Sequence, residues 1–136
     1  VIPNLKFTNN IQQLRFEKLL VNIAINPLSA LNNVKNGDLR APKYNAIIFN
    51  AVTEACNIAK VQGLNIPLIK ALNTAYKIME LTSDNYSSMQ QDVAHSRETE
   101  ISAICGYISQ QGKLHSIPTP YNDELFAKIQ AKKSVV

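Results

Sequence analysis

The chain has 136 residues, of which 46% are hydrophobic and 18% are charged, and its formal net charge is +4 at pH 7. This length and composition are typical of one globular domain with its own hydrophobic core. The basic residues are scattered and aromatic residues make up only 7%, which argues against a nucleic-acid-binding surface. No apolar run approaches the ~18 residues that a membrane span requires, and we expect a cytoplasmic protein.

An apolar stretch over residues 16–31, FEKLLVNIAINPLSAL, carries an unusual polar pattern. Lys18, Asn22 and Asn26 follow one another at steps of four residues, which places them in one narrow stripe on a helix. An unpaired buried amide costs roughly 1–3 kcal/mol and an unpaired ammonium costs more, so the stripe requires polar partners. A carboxylate and nearby backbone groups could supply them, and so could a bound ligand. We expect Pro27 to break or kink the helix beside the stripe, which favours the ligand.

The apolar spacing along the whole chain predicts about six helices and no sheet. A lead-in over residues 1–8, after an interdomain linker, precedes a first helix capped by Asn9 or Asn10, and the domain itself is expected to occupy residues 9–136. After the break at Pro27, the predicted helices cover residues 28–34 and 44–62, then run from Pro67 to a polar break at residues 82–86, from Ser87 or Ser88 to Gln111, and from Pro120 onwards. Gly63 and Gly112 are expected to end two of them.

A second polar stretch surrounds the predicted start of the long helix. Asn85 and Ser88 are three residues apart there, and the free amides and dipole of a helix N-terminus favour an anion such as a carboxylate. Capping by Asn85 or Ser87 would explain the same residues without a ligand. Farther along, Glu100 lies next to the apolar Ile101, and it is the acidic residue of this helix that we expect to turn inward.

The cysteines, the histidines and Asn36 give weaker indications of a functional site. Cys56 and Cys105 fall in apolar helical patterns, so we expect buried thiols rather than a disulfide. The two histidines are isolated from each other and from the cysteines, so no metal site is predicted. Asn36 precedes Gly37, a pair that is typical of a turn whatever the function.

Taken together, the two polar stretches resemble the helical C-terminal domain of ketopantoate reductase (2-dehydropantoate 2-reductase). The resemblance rests on KLLVNIAINPLSA at residues 18–30, on NG at residues 36–37, and on NYSSMQQD and RETEI between residues 85 and 101. It runs from about residue 16 to the C-terminus.

This resemblance implies an all-α, bundle-like C-terminal domain of a reductase similar to 6-phosphogluconate dehydrogenase, with a Rossmann domain preceding it in the family. The implied activity is the NADPH-dependent reduction of 2-dehydropantoate to pantoate, in pantothenate and coenzyme A biosynthesis. The family's catalytic lysine corresponds to Lys18, and its glutamate near the lysine and the cofactor corresponds to Glu100. The implied substrate contacts are five polar residues: Asn22, Asn26, Asn36, Asn85 and Ser88.

The residue types suit this chemistry. Hydride transfer to a ketone carbon builds negative charge on oxygen, which a cationic Lys18 would stabilise and then protonate. The sequence contains no G-x-G-x-x-G motif and no strand–helix–strand unit. We therefore expect the Rossmann domain to be the partner that mainly holds NADPH, and we expect this chain alone to be inactive.

Two alternatives remain open at this point. One is a reductase of the same fold that acts on a different 2-keto acid. The other is a helical dimerisation or interaction module with a purely structural stripe, which also leaves a homodimer open. The module predicts that Lys18→Ala spares turnover and changes association, whereas the reductase predicts that turnover is lost.

Overall fold

The structure is a computed structural model that describes the backbone of residues 2–135 and the side chains of residues 10–132. Within these residues the chain forms six α-helices and no β-strand, which confirms the predicted all-α fold. The helices are α1 (Ile2–Asn32), α2 (Asn45–Val61), α3 (Leu68–Leu81), α4 (Ser88–Ala94), α5 (Cys105–His115) and α6 (Pro120–Val135). Short 3-10 turns cover Asn36–Arg40, Pro42–Tyr44 and Ile101–Ala103. No helix in the described part of the chain has the length and apolar character needed to cross a membrane.

The hydrophobic core lies where α1 packs against α2, α3, α4 and α6. Burying one large aliphatic side chain is worth about 1.5–3 kcal/mol relative to exposure. The largest fully buried apolar side chains include Leu20, Ile23, Leu39, Ile48, Val52, Ile58, Met79, Met89, Ile108 and Ile129. The helix predicted over residues 44–62 is confirmed as α2, and its apolar positions at helical spacing are buried: Ile48, Ala51, Val52, Ala55, Ile58 and Ala59.

Pro27 does not interrupt the first helix. It is buried inside α1, which continues to Asn32, so the predicted break and the separate helix over residues 28–34 are wrong. A proline in a helix interior costs about 3 kcal/mol, because it removes one hydrogen bond and crowds the preceding turn. Ile23 and Leu28 are buried in the same core on either side of Pro27, and this packing offsets the cost. The stripe of Lys18, Asn22 and Asn26 therefore stays on one continuous helix.

The long helix predicted from residue 87 or 88 to residue 111 is divided into α4, a polar connection and α5. Ser96 adopts a left-handed φ of 57° just after α4. The amide N of Arg97 donates to the carbonyl O of Asp92 at 2.7 Å, which closes the helix end. Residues 95–100, HSRETE, supply no apolar side chain with which a continuous helix could be buried. The prediction followed the apolar positions on both sides and overlooked this gap.

Helix ends were predicted with mixed success. The structure continues α1 back to Ile2, so the start predicted at Asn9 or Asn10 is wrong, and the side chains of residues 1–9 lie outside the described residues. Gly63 follows α2 with a φ of 86°, which confirms its terminating role. Gly112 lies inside α5 and does not end it, because the helix continues to His115. Pro120 begins α6, as predicted.

A buried carboxylate on α2 holds the first turn of α6. Glu54 Oε2 accepts a hydrogen bond from the amide N of Tyr121 at 2.9 Å. Glu54 Oε1 accepts from the amide N and from Nδ2 of Asn122, at 3.0 and 2.9 Å. The first amides of a helix have no partner within the helix and carry partial positive charge, so they stabilise a carboxylate. We call these three residues the Glu54 cluster.

Candidate active site

A cleft of about 690 Å³ opens between α1, the end of α2 and the segment that leads into α5. Its volume lies within the range of roughly 300–1,000 Å³ that is usual for small-molecule sites. The lining side chains are Gln12, Arg15, Phe16, Lys18, Leu19, Asn22, Gln62, Leu64, Glu100, Ala103, Ile104 and Tyr107. The cleft therefore combines cationic, acidic, amide and phenolic groups with an apolar surface.

Three of the seven predicted site residues, Lys18, Asn22 and Glu100, line this cleft together. Lys18 and Asn22 stand one turn apart on α1, about 6 Å along the helix axis. Glu100 directly precedes the 3-10 turn Ile101–Ala103, whose first residue, Ile101, is buried and anchors the turn. Within the part of the chain whose side chains are described, neither Lys18 nor Glu100 has an ion-pair partner. Both charged groups are therefore available to a ligand.

The environment of Glu100 differs from the one predicted. Glu100 is exposed, because it lies in the polar connection before α5 and not on the inner face of a long helix. Lys18 is also exposed, at the edge of the apolar part of α1. The cleft thus presents its two charges at an open surface.

The other four predicted residues lie outside the cleft lining, and three of them surround the start of α4. The amide N of Asn36 donates to the carbonyl O of Asn85 at 2.9 Å, and Asn36 Nδ2 donates to Thr82 Oγ1 at 3.0 Å. Asn36 Oδ1 is buried and has no hydrogen-bond partner among the described residues. Ser88 is the exposed first residue of α4, and Asn26 is half-buried on α1.

Two serines connect α1 to the start of α4. The Ser29 hydroxyl donates to the carbonyl O of Asn26 at 3.1 Å and is hydrogen-bonded to the Ser87 hydroxyl. Ser87 Oγ accepts from the amide N of Gln90 at 3.0 Å, so Ser87 caps α4. The rise of 1.5 Å per residue places Asn26 about 12 Å along α1 from Lys18. The predicted residues therefore form two groups, one at the cleft and one at the start of α4.

Gly37 is required for a close approach between two segments, in addition to the turn that its sequence predicts. It lies in the 3-10 turn Asn36–Arg40, and its amide N donates to the carbonyl O of Ser83 at 3.1 Å. A Cβ at Gly37 would lie 2.9 Å from the Cα of Ser83. A side chain at this position would push Asn36 away from the start of α4.

Sequence reasoning missed several residues of the cleft wall. Gln62 Nε2 donates to the Tyr107 hydroxyl oxygen at 2.7 Å and to Gln111 Oε1 at 3.2 Å, which joins α2 to α5. Gln62 and Tyr107 are 45 residues apart, so no local sequence pattern predicts their hydrogen bond. Arg15 could have been found, because it precedes Lys18 by three residues and shares its helix face.

The cysteines are free thiols, as predicted, but only Cys105 is buried as expected, whereas Cys56 is half-buried. Burial raises the pKa of Cys105 to about 12, and the negative charge of Glu54 contributes to this shift. Burial also raises the pKa of Cys56. Both thiols are therefore neutral and poorly nucleophilic near pH 7. Among the residues whose side chains the structure describes, no three His, Cys, Asp or Glu side chains are grouped so that they could hold a metal ion.

Known proteins match this chain along most of its length. The family model "Ketopantoate reductase PanE/ApbA C terminal" matches residues 10–133. The 2-dehydropantoate 2-reductase of Vibrio cholerae serotype O1 is 38% identical over 120 residues, which are 88% of this chain and 40% of that protein.

Solved structures of reductases are also similar to this chain along most of its length. The dimeric ketopantoate reductase from Staphylococcus aureus is similar with a TM-score of 0.82 and 28% identity, over 91% of this chain and 44% of that one. D-mandelate dehydrogenase in a ternary structure with NADH and anilino(oxo)acetate is similar with a TM-score of 0.89 and 28% identity, over 93% of this chain and 53% of that one. The chain thus spans about half or less of the length of these proteins. Because the family model covers nearly the whole chain, the chain belongs to the family of ketopantoate reductase C-terminal domains.

Proposed function

We propose that this chain is the substrate-binding, helical part of an NADPH-dependent 2-dehydropantoate 2-reductase. The observation that carries the proposal is the open ammonium group of Lys18, which shares one cleft with Asn22 and Glu100 in a chain of this family. The name of the Vibrio cholerae relative supports the substrate. The short span of the chain relative to that protein supports a longer enzyme, in which a nucleotide-binding domain acts beside this one.

Lys18 is the proposed proton donor. As a ketone is reduced, negative charge develops on its oxygen, and a cation directed at that oxygen lowers the barrier. Lys18 then transfers a proton from Nζ to the oxygen and becomes a neutral amine, so the product is a hydroxyl group. Asn22, one turn farther along α1, offers an amide that can orient the substrate by hydrogen bonding.

The cleft also suits the nicotinamide end of a dinucleotide, because Glu100 offers an acceptor for its carboxamide. When bound, the reduced nicotinamide supplies the hydride. Glu100 is at the same time the proposed electrostatic partner of Lys18. The described residues form no strand–helix–strand unit, so the remainder of the dinucleotide requires another domain, and the chain alone is expected to be inactive.

Asn26, Asn36, Asn85 and Ser88 are the proposed contacts for the end of the substrate that is remote from the keto group. The unpaired Oδ1 of Asn36 supports this role. A buried amide oxygen without a partner costs roughly 1–3 kcal/mol. A substrate hydroxyl that reached it would remove this cost, so binding would be favoured there.

A reductase of the same fold with a different 2-keto acid substrate is the second candidate. The similarity to D-mandelate dehydrogenase with NADH and anilino(oxo)acetate supports it. This candidate keeps the role of Lys18 and changes the substrate and the nucleotide preference. A homodimer is proposed for either candidate, since the Staphylococcus aureus relative is dimeric.

The decisive experiment measures dinucleotide oxidation by the full-length protein that carries this chain, with 2-dehydropantoate as substrate. We expect Lys18→Ala to lower kcat by about 10³-fold, the usual contribution of general acid–base catalysis being 10²–10⁴. Lys18→Arg should also be nearly inactive, because a guanidinium keeps the charge but does not release a proton near neutral pH. Circular dichroism should show unchanged helix content, since Lys18 is exposed.

Lys77→Ala is the matched control, because Lys77 is an exposed lysine on α3 that does not line the cleft. It should retain wild-type turnover. Activity with other 2-keto acids but not with 2-dehydropantoate would select the second candidate. Full turnover in Lys18→Ala would overturn the assignment of the proton donor and favour an interaction module.

A further inference from the structure

Tyr107 lines the cleft, and its hydroxyl oxygen is held by a neighbouring side chain. Tyr107 lies on α5, is half-buried and lines the cleft with Gln62. Gln62 Nε2 donates to the Tyr107 oxygen at 2.7 Å and to Gln111 Oε1 at 3.2 Å. Both hydrogens of the Gln62 amide are therefore used, and this amide fixes the phenol oxygen from the side of α2.

This arrangement determines which hydrogen-bonding role is left to Tyr107. A phenol has one hydrogen to donate and can also accept. Because the Tyr107 oxygen already accepts from Gln62, its own hydrogen remains available to another acceptor. Within the described part of the chain, that hydroxyl donates to no acceptor. The hydroxyl is thus satisfied as an acceptor only, and a ligand in the cleft can accept its hydrogen.

The chemistry of the cleft indicates which ligand atom would accept this hydrogen. A 2-keto acid presents a keto oxygen and a carboxylate, which at neutral pH only accept hydrogen bonds. The keto oxygen is the proposed partner of Lys18, so the carboxylate needs other donors. Glu100 cannot serve, because its carboxylate only accepts and would repel a second anion. Gln12, Arg15 and Asn22 also line the cleft and can donate to a ligand. Tyr107 supplies a neutral donor that is already oriented.

We infer that Tyr107, oriented by Gln62, donates a hydrogen bond to a carboxylate oxygen of the bound 2-keto acid. The inference rests on the proposed function, because it takes that reaction's substrate as the ligand. It assigns Tyr107 to substrate recognition and makes Gln62 a positioning residue that acts through Tyr107. Hydrogen bonds to a charged group are among the stronger ones in proteins, so removing this one should weaken substrate binding measurably.

The first test compares Tyr107→Phe with the wild type in the full-length protein. We expect the KM for 2-dehydropantoate to rise about tenfold, while kcat stays within about twofold and the KM for NADPH is unchanged. The ring remains in place, so packing on α5 is preserved. Tyr76→Phe is the matched control, since the Tyr76 hydroxyl donates to Asn45 Oδ1 at 3.0 Å and Tyr76 does not line the cleft. This control should leave both KM values unchanged.

The second test uses Gln62→Glu to redirect the hydroxyl. A carboxylate at position 62 can only accept, so the Tyr107 hydrogen would turn towards it and away from the substrate. The KM for the keto acid should rise at least as much as in Tyr107→Phe. The added negative charge contributes to this rise, and the double variant separates the two effects. If Gln62→Glu acts through Tyr107, it should raise the KM much less in the Tyr107→Phe background than in the wild type.

Wild-type turnover is measured first, so the two hypotheses fail separately. No reduction of any 2-keto acid by the full-length wild type would overturn the proposed function and this inference with it. Wild-type turnover with an unchanged keto-acid KM in Tyr107→Phe would overturn only the role of Tyr107. A rise in the KM for NADPH alone would also overturn it, because the hydroxyl would then contact the dinucleotide.

Discussion

Glu54 and Glu100 are two carboxylates of this chain in contrasting surroundings. Glu54 is buried, and its oxygens accept three hydrogen bonds from Tyr121 and Asn122 at the first turn of α6. Glu100 is exposed at the cleft, and it has no ion-pair partner within the described residues. A carboxylate with three internal donors stabilises the fold and has little capacity left for a ligand, whereas an open one can bind a ligand but adds little stability.

The same contrast applies to the other polar groups of the two regions. In the Glu54 cluster, Asn122 Nδ2 also donates to the carbonyl O of Ala51 at 3.0 Å, which joins the side chain to the backbone of α2. In the cleft, Lys18 is open to solvent. The distinction between structural and functional polar residues therefore follows from how many of their hydrogen bonds the protein itself supplies. Variants in the two regions should separate stability from activity.

The largest expected effect on stability comes from Glu54→Ala. It leaves the amides of Tyr121 and Asn122 without their acceptor in a buried place, and we expect the free energy of unfolding to fall by about 3 kcal/mol. Urea unfolding followed by circular dichroism measures the change. Glu54→Gln keeps one acceptor oxygen, so its free energy of unfolding should fall clearly less than that of Glu54→Ala. Equal stability of Glu54→Ala and wild type would show that the Glu54 cluster does not hold α6.

This contrast also explains how much of the molecule could be predicted. The apolar spacing located α2 within one residue at each end, because its buried positions recur at regular helical intervals. The predicted break at Pro27 failed because the cost of a proline was considered without the packing of Ile23 and Leu28 around it. Local rules give the free-energy cost of a residue such as a proline inside a helix. Tertiary contacts decide whether the fold tolerates that cost.

The candidate site was predictable only where its residues share a local pattern. Lys18 and Asn22 follow from the four-residue stripe, and their chemical roles follow from the resemblance. Gln62 and Tyr107 meet only because α2 packs against α5, so the sequence gives no sign of their contact. Glu54 did leave a sign, since it is an acidic residue among the buried alanines and isoleucines of α2.

A smaller effect on the free energy of unfolding is expected from Cys105, whose thiol senses the charge of Glu54 and makes stability depend on pH. Its pKa in the folded protein is about 12, against an ordinary value of 9.0. The raised pKa means that the folded state favours the neutral thiol, so this contribution is complete below pH 9 and is lost as the pH rises from 9 towards 12. At pH 10 the unfolded thiol is mostly ionised, and the loss should be about 1.4 kcal/mol.

Urea unfolding at pH 7 and pH 10 tests this expectation by comparing the wild type with Cys105→Ala. The variant is less stable at both values because it leaves a small cavity, but its stability should fall less between them. Tyrosines and lysines titrate in the same range in both proteins, so the difference between the two falls isolates Cys105. Identical falls would show that the thiol ionises equally easily in the folded and unfolded states.

The smallest change in stability is expected for Asn36→Ala, with Asn122→Ala as its comparison. Asn36 Oδ1 and Asn122 Oδ1 are both buried without a hydrogen-bond partner among the described residues. Asn36→Ala removes one hydrogen bond to Thr82 together with an unpaired oxygen. These two losses nearly cancel, so stability should change by less than about 1 kcal/mol.

If the oxygen binds the substrate as proposed, the KM for 2-dehydropantoate should rise about fivefold. Asn122→Ala should instead lower stability by about 2 kcal/mol, because two donated hydrogen bonds are lost, and should leave the KM unchanged. An unchanged KM in Asn36→Ala would assign Asn36 to the fold alone and confine the substrate to the cleft lined by Lys18.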